Sequence, residues 1–153
     1  MVKKRNLIIL GLASMTLLTG CGKEETLVCT NNQTQNGLSV DQEISMTFKN
    51  NKINLIKMVV DSKATDDSIK ENWSVFAQAM DKQYKDKKEE GITLKVTNND
   101  KDYTYKVALD VELDKVSEKS LAEYNLSSIT KSKENLKDVQ KSAEDDGFKC
   151  KVK

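Results

Sequence analysis

From Tyr103 to Leu113 every second residue is large and apolar: Tyr103, Tyr105, Val107, Leu109, Val111 and Leu113. The intervening positions carry Thr104, Lys106, Ala108, Asp110 and Glu112. A period of two fits a strand and no helix, and it requires a sheet with one buried and one wet face. A shorter run, Ile92, Leu94 and Val96, leads into it through Asn98-Asn99-Asp100. Ile44, Met46 and Phe48 do the same earlier, reaching Asn50-Asn51 before an apolar run from Ile53 to Val60. Asparagine tolerates positive φ, so each Asn-Asn pair reads as a hairpin turn. Leu27-Val28-Cys29 is a further short strand, followed by a polar loop from Asn31 to Ser39.

Between the hairpins Ile69, Trp73, Phe76, Ala77, Met80 and Tyr84 recur at helical spacing. Ser68 and Glu71 fit a capping box, Asp66 and Asp67 suit the positive end of the helix dipole, and Gly91 is the expected stop. Asp114 to Tyr124 reads as a short helix. Ser132 reads as the cap of another that carries Leu136, Val139 and Ala143 and ends at Gly147, with Phe148 packed beneath it. The expected fold is α+β, an antiparallel sheet built from two β-hairpins with helices packed on one face, and the pattern is compatible with an internal ββα duplication.

The N-terminus supplies location. Lys3, Lys4 and Arg5 precede an apolar stretch from Leu7 to Leu18, and small residues follow, the three-part layout of a secretory signal. That stretch covers only about 18 Å as a helix, too little for roughly 30 Å of bilayer hydrocarbon. Leu18-Thr19-Gly20-Cys21 resembles the lipobox of bacterial lipoproteins. The resemblance implies that residues 1–20 are a signal peptide removed on export. It also implies that Cys21 carries a diacylglyceryl group and that the protein sits, lipid-anchored, on the extracytoplasmic face of the cell membrane. Residues 21–26 are then a short lipidated tether, and 27–153 one extracytoplasmic domain, a length suited to a single core. Two acyl chains suffice for stable anchoring.

With the leader gone, Cys29 and Cys150 remain as an even pair at opposite ends of the domain, which in an oxidising exterior points to a disulfide. Loss of three leader cations turns the formal net charge from +1 to −2. The charges are interspersed, so no basic patch offers itself to nucleic acid.

Histidine is absent. Its absence removes the usual neutral-pH general base, the Ser-His and Cys-His nucleophile systems and the commonest zinc ligand. Asn98, Asp100 and Asp102 have calcium-loop spacing, but Tyr103 replaces the turn glycine and Leu109 the bidentate Glu. Asp110 and Glu112 share a strand face as wet-face residues do, and the aromatics fall on apolar faces, as core residues do. No cofactor, metal site or catalytic residue is expected.

The lipobox, the hairpin, the amphipathic helix, the second hairpin and a closing helix ending in Asp146-Gly147-Phe148-Lys149 together resemble the YehR-like small bacterial lipoproteins. The resemblance implies an anchored α+β domain and supplies no functional residues. The expectation is a non-catalytic surface lipoprotein that binds a protein or cell-envelope component. The candidate binding surface is the wet sheet face, Thr93, Lys95, Thr104, Lys106, Asp110 and Glu112, with the Asn31 to Ser39 loop beside it. The alternative is a small-molecule or lipid binder with a pocket between sheet and helices. Oligomeric state and partner identity are left open by the sequence.

Overall fold

The computed structural model describes residues 24–85, 89–124, 126 and 135–153. The expected signal peptide, Cys21 and the Ser132 cap lie outside the described residues.

Six strands form one antiparallel sheet: β1 (Glu24–Gln35), β2 (Leu38–Lys49), β3 (Lys52–Ala64), β4 (Ile92–Asn99), β5 (Thr104–Glu112) and β6 (Lys149–Val152), in the order β4-β5-β3-β2-β1-β6. Four helices are present among the described residues: α1 (Asp67–Glu71), α2 (Trp73–Tyr84), α3 (Glu118–Glu123) and α4 (Leu136–Asp145). The protein is therefore mixed α+β, with a three-stranded meander in place of the expected first hairpin.

The meander differs from the expectation at β1. Residues Asn31 to Ser39, read as a loop, continue the strands, and only Asn36 and Gly37 form the turn, both at positive φ (51° and 74°). Polar side chains hid this strand: its backbone pairs with β2 from Glu24↔Lys49 to Gln35↔Leu38 whatever the side chains are. Glu24 to Thr26, read as tether, are likewise its first residues. The β2–β3 turn is as expected, with Asn50 and Asn51 at φ 53° and 60°, the left-handed pair that a two-residue hairpin of matching twist requires.

The long helix is interrupted at Asn72. Its cap is Asp66, not Ser68: Asp66 Oδ1 accepts from the Ile69 N–H at 2.9 Å, and the Ser68 hydroxyl donates to the same oxygen. Gly91 does not stop this helix, which ends at Tyr84. Instead, Gly91 lies at φ +77° before β4, where an added Cβ would meet the Val116 backbone nitrogen at 2.7 Å. Residues Asp114 to Val116 form a turn, leaving α3 only Glu118–Glu123, capped by Ser117. Asn135 caps α4. At its other end the Gly147 N–H donates to the Glu144 carbonyl and the Phe148 N–H to the Ala143 carbonyl, a Schellman closure that turns Phe148 into the core and starts β6.

Both apolar clusters lie on one face of the sheet. In one, Trp73 and Ala77 of α2 cover Tyr105, Val107 and Ala64. In the other, Leu121 and Leu126 pack with Leu109, Val111, Ile56, Met46, Phe48 and Leu27, bordered by Val139, Ala143 and Phe148. The register puts these strand residues on the same side, so the helices cover one face and leave the other open. Val28 is the exception, buried on the open side between Ser45 and Lys151. Cys29 faces Cys150 directly across the β1–β6 pair, and the two are joined by a disulfide. Among the described residues no helix is long and apolar enough to cross a membrane.

Candidate functional site

The open face is the first candidate. Thr93 and Lys95 of β4 and Thr104, Lys106, Asp110 and Glu112 of β5 all point to it, because Thr93 pairs with Asp110 and Lys95 with Ala108. The six expected residues are thus brought together on two adjacent strands. Asn32 and Thr34 of the misread loop reach the same face on β1, with β3 and β2 between them and β5.

Part of this face is concave. A groove of about 730 Å³ runs over β1, β2, β3 and β5. Its polar lining includes Thr30, Asn32, Asp41, Glu43 and Asp61, with Lys106 and Lys149 as the cations. Of the six expected residues only Lys106 borders it. The β3 contribution is hidden in the sequence because Ile53 to Val60 forms one apolar run. Once paired, that run splits by parity, Ile56, Met58 and Val60 toward the helices and Leu55, Lys57, Val59 and Asp61 toward the open side.

Two ion pairs bridge β3 and β5 on this face, Lys57 with Asp110 and Lys106 with Asp61, each at 3.7 Å. Their side chains are 40 to 54% exposed, so each pair contributes little to stability and remains accessible to a partner. Asn32 donates to Asp41, and the Thr30 hydroxyl donates to the Lys149 carbonyl at 3.5 Å. Glu112 is held at 2.6 Å by Lys115, whose pKa it raises through that hydrogen bond, whereas Asp110 faces Lys57, so the two carboxylates serve separate cations.

The second candidate lies between sheet and helices. A cavity of about 100 Å³ sits where the two clusters meet, lined by Met58 and Val60 of β3, Leu94, Val107 and Leu109, and closed by Met80 and Tyr84 of α2 and by Tyr124. Beside it Tyr105, fully buried, donates its hydroxyl to Asp81 Oδ1 at 2.9 Å, and Lys85 holds the other carboxylate oxygen at 3.0 Å. The Lys85 and Tyr105 hydrogen bonds hold the Asp81 pKa below its ordinary value. Burial, then the Asp81 contact, pushes the Tyr105 hydroxyl well above its own. The pair is a structural strut with its proton fixed on the phenol.

The other aromatics serve packing. Trp73 lies 5.0 Å from Phe76 and edge-on to Tyr103 at 6.2 Å, and its indole N–H donates to Asn98 Oδ1 at 3.1 Å. The β4–β5 turn lies one step later than the expected Asn98-Asn99-Asp100: both asparagines are paired residues of β4, and residues 100–103 turn with Tyr103 at φ 51°. The calcium-like spacing is consumed there, with Asn98 donating to Asp100 and Asn99 to Asp102. Among the described residues no group of three or more His, Cys, Asp or Glu side chains is placed to hold a metal ion.

No protein-family model matches the chain. No curated protein matches it either. Among solved structures it is similar to one described as the NMR structure of the protein from Streptococcus pneumoniae TIGR4, at 12% identity and a TM-score of 0.58, over 98% of this chain and 94% of that one. At that identity the likeness is one of fold.

Proposed function

We propose that the protein is a non-catalytic bacterial lipoprotein of the YehR-like kind, anchored through Cys21 on the extracytoplasmic face of the cell membrane, and that its open sheet face binds a protein or cell-envelope component. The observation that carries this reading is the open face itself: β1, β2, β3 and β6, beyond the expected two strands, contribute polar side chains to a groove that no part of the described chain covers. The Cys29–Cys150 disulfide supports an oxidising compartment. An internal ββα duplication belongs to the same proposal. It is supported by the order of elements, since the β2–β3 hairpin and the β4–β5 hairpin are each followed by helix, α1–α2 after the first and α3 after the second.

Photo-crosslinking in cells tests the surface. A crosslinker placed at Asp41 or Lys106 is expected to capture a discrete partner, and one at Val75, exposed on α2, to capture none. Equal capture from both sides, or none from the groove, contradicts the proposal.

A second reading, a small-molecule or lipid binder, is favoured by the apolar cavity under α2 and α3. At about 100 Å³ it admits a short aliphatic segment rather than a whole metabolite. A rise in melting temperature with short-chain lipids would favour it over the first reading.

A further inference from the structure

We infer that the partner of the open sheet face is a second copy of this chain, docked face to face; the inference rests on the proposal above that this face is an interaction surface. Three levels of the central strands carry it. At the first, the row β2-β3-β5-β4 reads Ser45, Lys57, Asp110, Thr93. At the second it reads Glu43, Val59, Ala108, Lys95, and at the third Asp41, Asp61, Lys106, Thr97.

Turning a second copy over about an axis that runs along the strands, between β3 and β5, exchanges β3 with β5 and β2 with β4. Lys57 then lies opposite Asp110 of the other copy, Asp61 opposite Lys106, and Glu43 opposite Lys95. At the centre Val59 meets Ala108. Asp41 meets Thr97, and no charge at these levels meets its own sign. Each contact occurs twice, as a closed two-fold interface requires. Sheets stack about 10 Å apart, a gap that lysine and carboxylate side chains bridge from opposite sides. Four strands of this length bury on the order of 1,000 Å² in total, the lower end of specific interfaces. The association is therefore weak, specified by charge and reduced by salt.

Charge-swapped variants of the full chain test this, with sedimentation velocity as the readout. Asp61→Lys alone sets two cations against each other at that contact, and Lys106→Asp alone sets two carboxylates there, so each is expected to weaken dimerisation about tenfold or more. An equimolar mixture of the two restores opposite signs at this contact between copies, while the pair within each chain stays like-charged, and is expected to recover association toward the wild-type level. The double variant Asp61→Lys/Lys106→Asp keeps both the pairing within one chain and that between copies, so it dimerises by itself and separates lost contact from lost folding. A wild-type chain that stays monomeric at millimolar concentration, or single variants that dimerise like wild type, overturns the inference. So does a mixture that shows no recovery. Capture of a different protein by crosslinkers at Asp41 or Lys106 in that event leaves the open face an interaction surface while removing the second copy as its partner.

Discussion

Cys150 sits on the rung directly opposite Cys29, Cα to Cα 4.1 Å apart, so a bond 121 residues apart in sequence fastens the last strand to the first. The covalent link reinforces β6, which is only four residues long and pairs on one side only, the weakest hold of any strand in the sheet. On the chain-entropy account a loop of this length stabilises the fold by up to about 5 kcal/mol. Replacing both cysteines with alanine is expected to lower unfolding stability by about 2 to 5 kcal/mol in urea titration. Amide exchange should accelerate first at Lys149 to Val152. Unchanged exchange there would mean that pairing alone holds β6.

The Asp81–Tyr105 strut gives stability a pH dependence with two edges. Asp81 has a depressed pKa, so its contribution is present above about pH 4 and is lost as acid protonates the folded carboxylate. Tyr105 has a raised pKa, so its contribution is intact below about pH 10 and falls away as base ionises the unfolded chain while the folded phenol keeps its proton. Asp81→Asn should flatten the acid edge. Tyr105→Phe should flatten the alkaline edge and cost about 1 kcal/mol at neutral pH. Melting curves from pH 3 to 11 check both.

Trp73 is the only tryptophan, 3% exposed, and it ties α2 to β4 through Asn98. Trp73→Ala is expected to cost about 3 to 5 kcal/mol. Asn98→Ala, which leaves the indole N–H without this acceptor, is expected to cost about 1 to 3 kcal/mol. It should also shift the tryptophan emission without unfolding the Cys29 side, which circular dichroism would report.

Gly37→Ala is expected to destabilise by more than about 1 kcal/mol, because φ is +74° and the new Cβ runs into the Asp66 carboxylate that caps α1. Gly147→Asn should cost less, since an added Cβ meets nothing within 4 Å and only the backbone strain at φ +88° remains. Comparing the two midpoints in urea separates collision from backbone strain.

Much of this architecture is legible residue by residue. Strict alternation marks β5 and both its faces, the two asparagines mark the β2–β3 turn, and two cysteines at the ends of the domain mark the closing bond. What stays hidden has a physical cause in each case. The outer half of β1, Asn31 to Gln35, forms a strand through backbone pairing with β2, and its side chains carry no apolar period. Lys57 and Asp61 belong to the open face, but Ile56, Met58, Val59 and Val60 surround them and look like a single buried run until β5 is laid alongside. The break at Asn72 leaves the apolar spacing of the helix intact, so periodicity passes over it. The face carrying the six expected residues was readable from the alternation of β4 and β5. The groove was not, since it needs the order β5-β3-β2-β1, which places the third strand between the first two and the second hairpin.

The anchor is the part of the account on which location, export and presentation of the open face all depend. Metabolic labelling with palmitate, followed by membrane fractionation of wild type and Cys21→Ala, tests it most directly. Label and membrane retention are expected in wild type, and loss of both in the variant. An unlabelled wild-type chain, or a variant that fractionates with membranes unchanged, would contradict it.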